Sequence, residues 1–121
     1  MTTVQNCQEL FVRDTLRRFG ITKRYIGYSH LGYCLQLVIA DDNRLVAVTK
    51  EVYMQKAAYF ECRWSNVERN IRTLAARAWD LNSTLLTEMA GYPLNRAPAA
   101  AEFLEILATY FLRNQSNASD V

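Results

Sequence analysis

The sequence has few of the residues from which catalytic sites are built. It contains one histidine, His30, and four scattered glycines, and it has neither a G-x-S-x-G nor a G-x-x-x-x-G-K pattern. A catalytic pair or triad would depend on His30, which stands between Ser29 and Leu31 on a predicted apolar helix and is more typical of a packed residue. The scattered glycines argue against a phosphate-binding loop. We predict that the chain is not an enzyme and takes no cofactor and no small-molecule substrate.

Cysteine is also scarce. Cys7, Cys34 and Cys62 are odd in number and widely spaced, and no C-x-x-C pair occurs. This pattern argues against a disulfide framework or a zinc site and favours a reducing cytoplasm. The adjacent acids Asp41 and Asp42 are more typical of a solvated helix end than of a metal site, so we predict no bound metal.

Long hydrophobic runs are missing. The longest, residues 35–40, is interrupted by Gln36, whereas a helix that spans a bilayer needs about 20 apolar residues. The first six residues have neither the basic segment nor the apolar core of a secretory signal. We therefore predict a cytoplasmic protein without a membrane partner.

The size and charge of the chain fit one globular domain. With 121 residues, half of them hydrophobic, the chain can bury its own core. We predict a single domain over residues 1–113 and a polar, disordered C-terminal tail over residues 114–121. The net charge is only +2, so an argument for nucleic acid must rest on where the charges lie.

Apolar periodicity predicts an all-α fold of about six helices. The first helix covers residues 7–19, with Val12, Leu16 and Phe19 on one stripe, and ends at Gly20. The other predicted helices cover residues 27–41, 50–60, 65–79, 83–90 and 98–113. A strand over Arg44–Val48 is the less favoured alternative.

Helix ends carry their own signals. Thr49, Ser65 and Ser83 are predicted N-caps, and Ser65 with Glu68 forms an S-x-x-E capping box. Gly91 is predicted to end the fifth helix, and Pro98 to occupy the first position of the last helix.

Arginine is concentrated in the predicted fourth helix. At about 100° per residue, one face carries the apolar residues Val67, Ile71, Leu74 and Ala78, and the opposite face carries Ser65, Arg69, Arg72 and Ala76. Residues 63–79 contain four arginines and one acid, an excess of three positive charges. With the preceding helix and a four-residue link, 61–64, this helix would form a helix-turn-helix. The link lacks the usual glycine and is longer than the common form, so the pattern leaves DNA binding and a protein-interaction module both open.

Several segments resemble one family, the C-terminal DNA-binding domain of the sporulation master regulator (stage zero sporulation protein A). They are Val48–Tyr53, Ser65–Arg72, Ala78-Trp79, Met89–Tyr92, Pro98 and Glu102-Phe103. The resemblance covers roughly residues 20–113 and implies a six-helix, winged-helix-like effector domain that regulates transcription in spore-forming bacteria. In the family this domain follows a receiver domain, which we expect this chain to lack. The alternative is a protein-binding regulator that keeps the fold but acts on a partner, such as a relative with the same domain.

The resemblance and the helical wheel together predict the DNA-contacting residues. Arg69 is expected to bind a guanine, with Glu68 accepting from a cytosine or orienting an arginine, and Arg63 and Arg72 are expected to bind phosphates. Asn66 and Thr73 replace an arginine and a histidine of the family pattern, so the preferred operator is expected to differ. The full predicted set is Arg63, Ser65, Asn66, Glu68, Arg69, Arg72 and Thr73.

Two further surfaces are predicted, the first from apolar spacing together with the resemblance and the second from the resemblance alone. A wide apolar stripe on the last helix is expected to serve homodimerisation on DNA, with burial in the chain's own core as the alternative. Its residues are Phe103, Leu104, Leu107, Tyr110 and Phe111. The segment 82–92 is expected to contact an RNA polymerase sigma factor through its exposed residues Thr84, Thr87 and Glu88.

Overall fold

The computed structural model describes the backbone of residues 3–119 and the side chains of residues 9–58 and 61–114. Every regular element in this range is helical, and no strand occurs in it, which confirms the predicted all-α class. A short 3₁₀ helix and a π-helical turn accompany five α-helices. The elements in chain order are α1 (Thr3–Arg18), α2 (Tyr28–Ala40), the 3₁₀ helix (Asp42–Ala47), the π-helical turn (Thr49–Tyr53), α3 (Met54–Phe60), α4 (Trp64–Ala90) and α5 (Ala100–Ser119).

The end of α1 follows the glycine signal. Gly20 has φ 84°, its N–H donates to the carbonyl of Arg17 at 2.9 Å, and the N–H of Ile21 donates to the carbonyl of Leu16 at 3.0 Å. These are the two hydrogen bonds of a Schellman motif. Because Ile21 is fully buried, the motif also fixes the direction in which the chain leaves α1.

The alternative strand over Arg44–Val48 is wrong, because this segment forms the 3₁₀ helix. The carboxylate of Asp41 accepts from the N–H of Asn43 at 3.1 Å and starts a tight turn there. Arg44 then donates to the carbonyl oxygen of Glu51 at 2.9 Å. The predicted cap at Thr49 is also wrong: Val48 already has helical angles of φ −59° and ψ −37°, so no extended residue precedes the π-helical turn.

The predicted fourth and fifth helices are the two halves of α4. They meet at Asn82, whose backbone is not helical (φ −160°, ψ 77°). The side-chain oxygen of Asn82 accepts from the N–H of Leu85 at 3.0 Å. Asn82 therefore caps the second half, and the predicted cap at Ser83 lies one residue too late. Gly91 ends α4 as predicted, with φ 79°.

The last helix begins later and ends later than predicted. The N–H of Phe103 donates to the carbonyl of Ala99 at 2.9 Å, so Pro98 precedes the helix and does not occupy its first position. At the other end α5 continues past Arg113 to Ser119. The segment has no proline or glycine to stop it, and Asn114 donates to the carbonyl of Tyr110 at 3.1 Å.

The hydrophobic core lies where α4, α2 and α5 pack together. Four of the five residues predicted for dimerisation belong to this core: Phe103, Leu104, Leu107 and Phe111 are at most 4% exposed. Side chains with so little exposed surface cannot contact a second copy in this fold. The apolar stripe on α5 therefore packs in the chain's own core, which was the alternative to dimerisation. Tyr110 alone of the five keeps a partly exposed side chain. Within the described residues, no helix is long and apolar enough to cross a membrane.

Candidate nucleic-acid interface

A three-residue turn joins α3 to α4. Glu61 adopts a left-handed conformation (φ 54°), and the N–H of Cys62 donates back to the carbonyl of Ala57 at 3.0 Å. Glu61 thus takes the position where a glycine is usual. The predicted link of four residues was one residue too long, because Trp64 already belongs to α4. A turn of three residues is a length found in helix-turn-helix motifs, so the excess length predicted for the link is absent.

The predicted capping box is wrong. The N-cap of α4 is Arg63, with extended angles of φ −80° and ψ 143° and with no side-chain cap bond in the described chain. The N–H of Asn66 donates to the carbonyl of Arg63 at 3.0 Å, which places Ser65 inside the first helical turn. The reason is the turn itself: it ends so soon after Glu61 that the chain enters the helix before Ser65. The Ser65 side chain is exposed at the helix start.

The first half of α4 has the two predicted faces. Its inward residues are almost fully buried: Val67, Ile71 and Ala78 have no exposed surface, and Leu74 keeps 2%. Its outward residues are all exposed: Ser65, Arg69, Arg72, Thr73 and Ala76. Exposed Arg63 precedes them, and the half-exposed residues Asn66 and Glu68 lie at the margins. We call this outward surface, Arg63 to Ala76, the α4 face.

Side chains on the α4 face hold one another in place. Arg69 donates to the side-chain oxygen of Asn66 at 3.2 Å, and the Thr73 hydroxyl donates to the carbonyl of Arg69 at 2.9 Å. Arg72 lies 3.7 Å from the carboxylate of Glu68. The Arg72 side chain is 58% exposed and that of Glu68 26%; a surface ion pair contributes about 0–1 kcal/mol, so an anionic ligand can replace Glu68 as the partner of Arg72 at low cost. Each of the two arginines is therefore oriented by a polar neighbour on the same helix, Arg69 by Asn66 and Arg72 by Glu68.

The flank of α4 is fixed by the start of α2. A Cβ at Gly27 would lie 2.8 Å from the carbonyl oxygen of Asn70, and Gly27 has φ 91°. Only glycine meets both conditions without strain. The Asn70 amide nitrogen lies 3.4 Å from Nδ1 of His30, and burial lowers the pKa of His30, which favours its neutral form. His30 is thus a packed residue at a helix contact, as its sequence context predicts.

A cationic groove adjoins this flank, and the sequence-based set of contact residues missed it. Arg13, Arg17, Lys23 and Arg24 line an open cavity of about 800 Å³ between α1 and the loop that follows it. In the same loop, Tyr25 lies with its ring centre 5.9 Å from the guanidinium of Arg77 on α4. The sequence does show basic residues clustered on both sides of Gly20. Only the tertiary structure shows that this cluster lies beside α4.

Two observations on the described residues concern metal ions and the buried thiol. Its side chains include no group of three or more His, Cys, Asp or Glu residues able to hold a metal ion. Cys34 is buried, and burial raises the pKa of its thiol to about 12. The reactive thiolate is therefore scarce at neutral pH.

The surface predicted to contact a sigma factor lies on the second half of α4. Thr84 and Glu88 are exposed, and Thr87 is half exposed. Leu85, Leu86 and Met89 face the core. The predicted exposure is confirmed for Thr84 and Glu88 and holds in part for Thr87, whereas the contact itself stays a prediction.

Comparison with known protein families identifies a family for most of the chain. The family described as sporulation initiation factor Spo0A C terminal matches residues 12–111. No solved structure gives a significant match to the chain.

Proposed function

The chain belongs to the sporulation initiation factor Spo0A C-terminal family, and we propose that it is a sequence-specific DNA-binding regulator of transcription. The family is a class of DNA-binding regulatory domains and not of enzymes. We propose that the chain acts in the cytoplasm of a spore-forming bacterium, and that the first half of α4 is its recognition helix.

One observation carries this proposal: an exposed, arginine-bearing helix face directly follows a three-residue helix-turn-helix turn. Arg69 and Arg72 are exposed on α4, while the opposite side of the same helix is buried. A helix placed in this way can enter the major groove with its N-terminal residues at the base edges. Ala76 is also exposed, and because its side chain is a single methyl group, it leaves room for DNA to approach the helix closely.

Each residue of the α4 face receives a role from its position. We assign Arg69, whose guanidinium is oriented by Asn66, to the O6 and N7 atoms of a guanine. Asn66 itself contacts an adenine or the neighbouring base. Arg72 exchanges Glu68 for a phosphate, and Glu68 is then free to accept from a cytosine amine. Arg63, Ser65 and Thr73 border this set and contact the DNA backbone.

The test is a titration of a duplex selected from a random oligonucleotide pool, measured at several salt concentrations. Arg69→Ala should reduce the binding free energy for the selected duplex by about 1–3 kcal/mol and relax specificity at one base pair. Arg72→Ala should weaken binding to all sequences alike and reduce the salt slope by about one. Arg96→Ala is the matched control, because it removes the same charge from an exposed residue in the loop beyond the other end of α4.

The same experiment can overturn the proposal. If Arg69→Ala binds the selected duplex as tightly and selectively as the parent, the α4 face does not recognise DNA. If the parent shows no salt-dependent DNA binding, the alternative gains support: a regulator that keeps the fold and binds a protein, such as a relative with the same domain.

We also propose that two copies bind DNA as a homodimer and that Thr84, Thr87 and Glu88 contact a sigma factor of RNA polymerase. Alanine at these three positions should reduce transcription at saturating DNA occupancy and leave DNA affinity unchanged. Unchanged transcription would remove the sigma-factor contact from the proposal.

A further inference from the structure

A second positive surface lies beside the α4 face. Arg13 and Arg17 are four residues apart on α1 and therefore share one side of that helix. Lys23 and Arg24 follow in the next loop, and all four cations line the same open groove, which has no acid in its lining. The groove thus brings four positive side chains together in a chain whose net charge is only +2.

None of the four cations has an ion-pair partner among the side chains that the structure describes. Two other arginines of the fold do have polar partners: Arg18 donates to the hydroxyl of Tyr110, and Arg113 donates to the carbonyl of Met89. Favourable interaction with the end of α1 can account for Arg17, because a cation near a helix C-terminus contributes about 0.3–1 kcal/mol. It does not account for Lys23 and Arg24, which lie beyond the helix.

The groove has a defined position relative to α4. Gly27 packs against the backbone of Asn70, and Tyr25 packs against Arg77. Asn70 and Arg77 are seven residues apart and lie on one flank of α4, next to the α4 face. A helix in the major groove, which is about 12 Å wide, has a phosphate backbone along each side. The cationic groove therefore lies on the side where one of these backbones must pass.

We infer that the groove formed by Arg13, Arg17, Lys23 and Arg24 is a second DNA site, which binds the phosphates of the strand that borders the major groove. This inference rests on the proposed function and extends the DNA footprint from α4 to α1 and its loop. Such contacts position the protein and raise affinity but carry no sequence information. The hydroxyl of Tyr28, which also lines the groove, can donate to a phosphate oxygen.

The experiment measures DNA affinity against salt for the full chain, using the selected duplex and an unrelated duplex of the same length. Each lost phosphate contact should reduce the slope of log affinity against log salt by about 0.9. Lys23→Ala/Arg24→Ala should therefore reduce the slope by about two and weaken both duplexes by the same factor. Arg17→Ala should reduce it by about one. Arg96→Ala, the matched control, should leave the slope unchanged.

Lys23, Arg24, Arg69 and Arg96 are exposed, so their variants should melt with the parent, whereas Arg17→Ala should lose the stabilisation of about 0.3–1 kcal/mol at the end of α1. Hydroxyl-radical footprinting gives a second measurement. Protection at the outer edge of the footprint should be lost in Lys23→Ala/Arg24→Ala and kept in Arg69→Ala. If the double variant behaves like Arg96→Ala, the inference is overturned while the proposed function stands. An effect confined to the selected duplex also overturns it, because phosphate contacts do not distinguish sequences. A parent chain without salt-dependent DNA binding overturns both.

Discussion

At the residue scale, the role of Ser65 depends on where the helix begins. Its sequence context is that of a capping serine, yet Arg63 is the N-cap and Ser65 lies in the first turn. Loss of a serine cap costs about 1 kcal/mol, whereas an exposed substitution elsewhere changes stability by less than about 0.5 kcal/mol. We expect Ser65→Ala to change the free energy of unfolding, measured in urea, by less than about 0.5 kcal/mol. A loss near 1 kcal/mol would show that Ser65 caps the helix in solution.

Because Ser65→Ala should leave stability intact, any loss of DNA affinity in this variant can be assigned to a missing contact. Its position, one residue after the exposed Trp64, places the hydroxyl at the N-terminal end of α4, which we propose approaches the DNA backbone.

Single residues were predictable from sequence only where the cause is local. Gly20 and Gly91 follow apolar stripes, and both have the positive φ expected of helix ends. Gly27 and Glu61 also have positive φ, but nothing in their neighbours predicts it. Gly27 is required by its approach to Asn70, which is 43 residues away in the chain, and Glu61 by the short turn between α3 and α4.

At the scale of elements, the existence of helices was predictable and their joints were not. The apolar spacing of α2, α4 and α5 located each helix, because the same residues form the core. The π-helical turn before α3 and the 3₁₀ helix after α2 were not predicted. Both depend on contacts between segments, such as the bond from Arg44 to Glu51, that a periodic pattern does not contain.

The joint inside α4 gives a test at this scale. Asn82 is extended, and its side-chain oxygen accepts from the N–H of Leu85 at 3.0 Å. We expect Asn82→Ala to reduce the free energy of unfolding by about 1 kcal/mol, as for other lost caps. Ser83→Ala is the matched control and should change it by less than about 0.5 kcal/mol. Equal effects of the two substitutions in urea unfolding would contradict Asn82 as the cap.

At the scale of the whole molecule, the position of charge is more informative than its sum. The net charge of +2 would suit many soluble proteins, but the fold brings the α4 face and the cationic groove side by side. The α4 face could be predicted because it lies within one helix. The groove could not, because it joins the side of α1 to a loop that only tertiary packing places next to Asn70 and Arg77.

The apolar stripe of α5 shows the same limit. Its width was predictable, but width alone does not tell whether an apolar surface packs on its own chain or on a second copy. The contacts of α5 with α2 and α4 bury it within one chain. If two copies associate on DNA, they must use other surfaces, and the exposed side of α5 still carries the partly exposed Tyr110 and Leu112, which is 43% exposed.

A substitution at Leu107 distinguishes packing in the chain's own core from packing on a second copy. Its side chain is 3% exposed, so Leu107→Ala should leave a cavity and cost about 2–5 kcal/mol of stability. We expect no separate effect on association: at a temperature where the variant is folded, its cooperativity on a two-site duplex should equal that of the parent. Urea unfolding and sedimentation on that duplex measure the two quantities. Leu112→Ala, on the exposed side of the same helix, is the control and should change stability by less than about 0.5 kcal/mol. The opposite result, in which Leu107→Ala keeps its stability but loses cooperativity, would mean that the buried stripe of α5 is exposed in solution and faces a second copy.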